Sequence, residues 1–155
     1  MHYSNSLDDR AEFVEINGCI FMSYCDECYL VACDICDGSK DLKLDFSVTF
    51  GTKTYVNYII SEYAFLSSTL HSVSLKNVKR IKTGAFDFLD WGGCYGIEAI
   101  YFYKGIESIH NYSVLDIYNH KFYLHFEGTE EDWKDILPQK FYELENTVIT
   151  FETFD

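Results

Sequence analysis

The sequence predicts a mainly β fold. Residues 1–155 read as a single domain of antiparallel hairpins forming a curved sheet, sandwich or partial barrel, with one or two short helices; an α+β arrangement is the second choice. Three observations carry this. Period-two alternation of apolar and polar residues recurs along the chain, the signature of half-buried strands. The 13 Phe, 13 Tyr and 2 Trp make the chain 18% aromatic, and these side chains suit a pleated surface. Finally, 155 residues at 48% hydrophobic content suit one core, since a chain of this length buries roughly 70% of its unfolded surface.

Taken in order, the first element is a hairpin, with strands from Cys19 to Cys25 and from Cys28 to Cys36 about an Asp26-Glu27 turn. Next, Leu42 to Phe50 places every even residue in the apolar class and every odd one in the polar class. Gly51-Thr52 supplies a turn with glycine first, as type II′ requires. The return strand, Lys53 to Ile60, then sets Tyr55 and Ile59 against Val48 and Leu44. Ser61 to Leu70 fits helix or strand equally. A second hairpin joins Ser113–Tyr118 to Lys121–Phe126 through Asn119-His120, with Leu115, Ile117, Phe122, Leu124 and Phe126 on the core face and Val114, Asp116, Tyr118, Lys121, Tyr123 and His125 on the wet one. Gly96 to Tyr103 and Asn146 to Phe154 are further strands. Thr129 caps a short helix through Ile136, with acids in its first turn where the helix dipole favours them, and Pro138 ends it. No internal repeat is visible.

Charge narrows the function. There are 25 acids against 12 Lys and Arg, a net charge of −13. Binding to a nucleic-acid backbone is disfavoured, because it needs clustered cations. The N-terminus lacks a cationic stretch followed by an apolar one, and no apolar run approaches the ~20 residues of a bilayer span. A cytoplasmic protein is therefore expected, with no membrane partner. The acidity is uneven. Residues 1–50 and 101–155 each carry a net −7, whereas residues 51–100 carry +1 and hold the basic cluster Lys76, Lys79, Arg80 and Lys82.

Cys25, Cys28, Cys33 and Cys36 form a C-x2-C-x4-C-x2-C run, a spacing compatible with zinc. In a regular hairpin Cys25, Cys28 and Cys36 share one face while Cys33 turns to the other, and Cys36 lies roughly 25 Å from the hairpin end at strand rise. The expectation is inert thiols, no metal and no cofactor.

Acids gather at predicted turns and at the predicted helix start: Asp26, Glu27, Asp34 and Asp37, then Glu127, Glu130, Glu131, Asp132 and Asp135. A glycine-rich loop from Gly84 to Gly96 adds Asp87, Asp90 and Trp91. With wet-face Tyr118 and Tyr123, these residues form the predicted partner-binding set. Acids at turns also serve solubility, but thirteen uncompensated charges repel one another, so a cationic partner would relieve them. Trp and Tyr are enriched in interface hot spots.

Cys94 and the histidines are the candidate nucleophile and bases, but no spacing pairs them; no Walker loop, dinucleotide fingerprint or zinc-protease motif is present. The chain is therefore expected not to be an enzyme. In composition it is similar to bacterial immunity proteins, which neutralise cognate toxins such as cationic nucleases; the likeness involves no specific motif. The expected function is an acidic inhibitor of a basic protein, a toxin domain, whose active site it blocks. The alternative is a small-ligand or carbohydrate-binding β module.

Overall fold

The computed structural model describes residues 10–87, 96–114 and 121–154. It is mainly β, with no helix of seven residues or more among them and no closed barrel. Strands β1 (Glu12–Ile16), β2 (Cys19–Tyr24) and β3 (Glu27–Cys33) form an antiparallel meander. From β3 onward the chain winds between two sheets. Successive strands β3, β7 (Tyr58–Ile60), β9 (Val78–Ile81) and β11 (Ser108–Ile109) lie side by side and parallel in the first sheet. Strands β4 (Cys36–Lys43), β8 (Thr69–Ser74), β10 (Ile97–Phe102), β12 (Phe122–Glu127) and β13 (Thr147–Glu152) do the same in the second. Four coils, each giving one strand to each sheet, thus stack as a β-solenoid, with β13 added to the end of the second sheet. The remaining pair, β5 (Val48–Phe50) and β6 (Lys53–Tyr55), is a hairpin inserted between the first and second coils.

Apolar columns hold the coils together. Leu42, Val73, Ile100, Leu124 and Ile149 are register neighbours down the second sheet, and Leu30, Ile60, Ile81 and Ile109 down the first. Except for the partly buried Ile149, all belong to one buried cluster. Phe102 stacks on Phe126 at 4.5 Å between ring centroids. The corner between the sheets repeats as well. Tyr63, Gly84 and Tyr112 are linked coil to coil by backbone bonds, as are Phe65, Ala85, Phe86 and Ser113. The Phe65 and Phe86 rings stack at 5.1 Å.

Several expectations are realised and others are revised. The β5–β6 hairpin turns on Gly51-Thr52 with Val48 opposite Tyr55. Ile59 does not face Leu44, because β7 leaves the hairpin to join the first sheet. The first hairpin turns on Cys25-Asp26, both at positive φ, and Glu27 pairs with Tyr24 inside the strands. A further hairpin, β1–β2, turns on Asn17-Gly18, again with positive φ at both positions, the pattern of a type I′ turn. The Ser113–Tyr118 half of the second hairpin lies largely outside the described residues, but β12 cannot be its antiparallel partner: both edges of β12 are taken by β10 and β13, in parallel. The Thr129–Ile136 helix is reduced to a 3-10 turn, Glu131–Trp133, and Pro138 opens a second one, Gln139–Glu143. No described helix is long and apolar enough to cross a membrane.

The cysteine faces also change, because a bulge interrupts the β2–β3 register between Ile20 and Phe21. An extra residue in one strand reverses the facing of everything beyond it. Cys19, Cys28 and Cys33 consequently all point into the core, while Cys25 and Cys36 are exposed.

Candidate functional site: the outward face of the parallel sheet

Inward residues of the second sheet are fixed by the apolar column, so the alternate residues point outward. On β10, β12 and β13 these are Tyr101, His125 and Thr150, which are register partners, together with Tyr123 and Val148 one step earlier. The His125 ring lies parallel to Tyr101 at 4.5 Å and to Tyr123 at 6.3 Å. Its Nδ1 is 2.8 Å from the Thr150 hydroxyl and 3.5 Å from a Glu152 carboxylate oxygen, which orients the imidazole. Phe154 meets the edges of both Tyr101 and Tyr103. Tyr123 is 38% exposed, whereas burial, and then the nearby Glu127 carboxylate, push the Tyr103 hydroxyl pKa upward.

A separate polar group joins β4, β8 and β10. Asp41 on β4 accepts hydrogen bonds from Ser72 Oγ at 2.6 Å and is 2.7 Å from His71 Nδ1. On the other side of His71, Glu98 on β10 approaches Nε2 at 3.8 Å. The Ser72 and His71 bonds hold the Asp41 pKa below the usual carboxylate value, and the Asp41 bond raises that of His71. Glu127 and Glu152 are register partners at the C-terminal ends of β12 and β13. The face therefore combines a rigid aromatic row with an acidic margin.

The residues named from sequence are divided by the fold. Asp90, Trp91 and Tyr118 lie outside the described residues. Asp34 sits where the first coil crosses from the first sheet to the second, Asp37 is the second residue of β4 and a register partner of Leu70, and Asp87 follows β9 on the third coil's way to the second sheet. Asp37 is tied to Ser39 by its backbone N–H and hydroxyl, which lower its pKa. Asp87 is half-buried, its Oδ1 has no hydrogen-bond partner among the described residues, and burial raises its pKa. Asp26 and Glu27 sit at the opposite corner, already neutralised: Asp26 pairs with Lys53, and Glu27 with both Lys79 and Arg80.

Glu127 ends β12, and Glu130, Glu131, Asp132 and Asp135 follow on the segment after it. Glu127 accepts the Lys104 N–H at 2.9 Å, Glu130 the Tyr142 hydroxyl at 2.6 Å, and Asp132 the Thr129 N–H at 2.9 Å. Tyr123 and Glu127 are thus the named residues that belong to the outward face or its end. His125 was placed on the wet face but left out of the binding set, and Tyr101 and Glu152 were missed; their signal was the alternation in Gly96–Tyr103 and Asn146–Phe154, which identifies strands but not their neighbours.

A cavity of about 540 Å³ opens beside β9 and β11, lined by Glu62, Arg80, Lys82, Thr83, His110 and Asn111 among others. Its cations are matched, Arg80 by Glu27 and Lys82 by Glu62 at 3.8 Å. Among the described residues, no group of three or more His, Cys, Asp or Glu side chains is arranged to hold a metal ion.

Fold and face together define a β-solenoid with an acidic, aromatic outward sheet. Comparison with protein-family models, with curated proteins and with solved structures finds no match.

Proposed function

We propose that the protein is a binding module for a basic protein partner, which docks on the outward face of the second sheet. Inhibition of that partner, in the manner of an immunity protein acting on a cationic toxin such as a nuclease, is the particular form of this reading. One observation carries it. Parallel sheets are ordinarily covered on both faces, yet this one presents Tyr101, His125 and Tyr123 as a partly exposed row with Glu152 beside His125 and Glu127 as the register partner of Glu152. Stacked rings supply preordered contact area. The carboxylates, with the net charge of −13, draw in a cation-rich surface from a distance.

Side-by-side capture from a lysate of the native host, using the immobilised protein and its Tyr101→Ala/Tyr123→Ala variant, tests the reading. A basic protein held by the first, lost from the second and released by added salt is the expected result. Equal capture by both would overturn it.

The 540 Å³ cavity favours a second reading, the small-ligand or carbohydrate-binding module. Its floor includes Ile81 and Ile109, and its rim carries both charge signs. Saturable chemical-shift changes at Ile109 and His110 on adding neutral sugars would support it over the first.

A further inference from the structure

Cys19 and Cys33 face each other directly across β2 and β3, with Sγ atoms 3.6 Å apart. Both are buried, at 0% and 2% exposure. The backbone around them explains the closeness. The Asp34 N–H donates to Gly18 O, whereas the Cys33 N–H turns away to Ala64 O. Cys19 and Cys33 therefore occupy a non-hydrogen-bonded pair, the kind of antiparallel site at which opposing side chains approach most closely. The bulge in β2–β3 is what brings Cys33 to this face; without it Cys33 would point outward, as the regular alternation predicted.

We propose that Cys19 and Cys33 are a disulfide-forming pair, a covalent clasp between the N-terminal hairpin and the first coil of the solenoid. The oxidant class is a small disulfide such as glutathione disulfide. A thiolate of the pair attacks one glutathione sulfur and expels the other glutathione as its thiolate. The second protein thiolate then attacks the protein sulfur of that mixed disulfide and expels the remaining glutathione. Two protein thiols lose two hydrogens and one glutathione disulfide becomes two glutathiones, so atoms and electrons balance. Cys19 donates its S–H to Cys33, and that bond, supported by Ser68, lowers the Cys33 pKa while raising that of Cys19. Closure brings the sulfurs from 3.6 Å to about 2.05 Å, a contraction within reach of small side-chain rotations.

Cys25 and Cys36 are exposed, and Cys28 is buried with its pKa pushed up to about 12 by burial. The bridge would close a loop containing the whole β2–β3 turn. It would restrain the unfolded chain and raise the temperature at which the hairpin separates from the coils.

The full-length protein is equilibrated with reduced and oxidised glutathione at several ratios, quenched by alkylation, and measured by intact mass and peptide mapping. The expected product has lost two hydrogens, contains a single Cys19–Cys33 cross-link and melts at a higher temperature than the reduced form. A variant keeping only these two cysteines should oxidise at the same glutathione ratio. Cysteines that all remain alkylated under oxidising ratios, or a bridge mapping to Cys25, Cys28, Cys36 or Cys94, would overturn the assignment.

Discussion

Trp133 shows how much one side chain fixes at the C-terminal end. It is 1% exposed, packs edge-on against Phe126 at 5.0 Å and donates Nε1–H to the Glu127 carbonyl at 2.7 Å. It thereby anchors the Glu130–Asp135 segment to the core. Trp133→Ala should cost about 3–5 kcal/mol, from the cavity and the lost bond together, read from the urea midpoint. Asp87 is the opposite case, a half-buried carboxyl whose Oδ1 has no partner among the described residues and whose pKa is raised by burial. A raised carboxyl pKa favours the folded state at low pH; that contribution is complete below about 3.8 and is lost as pH rises through the folded value. Asp87→Asn should therefore raise the melting temperature at pH 7 and leave it nearly unchanged at pH 3. The His71–Asp41 pair titrates from both sides. His71 supports the fold below about 6.5 and ceases to as pH rises through its raised pKa. Asp41 contributes above about 3.8 and ceases to as pH falls through its lowered pKa. A proton-NMR titration should place His71 above an ordinary histidine, and Asp41→Asn should bring it back.

At the scale of elements, the corner turn is the unit that repeats. Tyr63 and Gly84 occupy the same place in successive coils, both at positive φ, +59° and +66°. A Cβ at Gly84 would sit 2.7 Å from the Tyr63 ring, so glycine is required there twice over, by conformation and by space. Gly84→Ala should destabilise by more than about 1 kcal/mol, a loss measurable by chemical denaturation. This turn also shows where the sequence was readable and where it was not. The strands from 48 to 50, 97 to 102, 122 to 127 and 147 to 152 follow from alternation and β-branched or aromatic content. Their parallel neighbours do not, because alternation records which face a strand buries and not which strand lies beside it. The clue to coiling was the recurrence of Ile60, Ala64 and Phe65 as Ile81, Ala85 and Phe86, with Ile109, Ser113 and Val114 as a weaker third copy. Unequal insertions between copies, including the β5–β6 hairpin, hid the period. The β2–β3 bulge leaves no comparable mark in the sequence, which is why the facing of Cys33 was misread. For the same reason Tyr123 was placed on a wet face from its own strand, whereas its row with His125 and Tyr101 required the β10–β12 pairing.

Across the whole molecule, the charge of −13 opposes compaction even though Glu27, Asp26 and Glu62 are matched to cations. Many ion pairs here are at least half exposed and contribute little individually. Net repulsion should dominate, and the melting temperature should rise when salt is taken from low to physiological ionic strength; a fall would mean that the ion pairs outweigh the repulsion. In the proposed function the same field would draw in a basic protein from a distance, and the Tyr101–His125–Tyr123 row would hold it at short range. The most direct test is the rate at which the captured partner associates, followed by stopped-flow fluorescence as a function of ionic strength. The expected rate falls about tenfold or more between low and physiological salt. Tyr101→Ala/Tyr123→Ala should leave that slope intact and raise the dissociation rate. An association rate flat with salt, or a dissociation rate indifferent to loss of both rings, would contradict docking on this face.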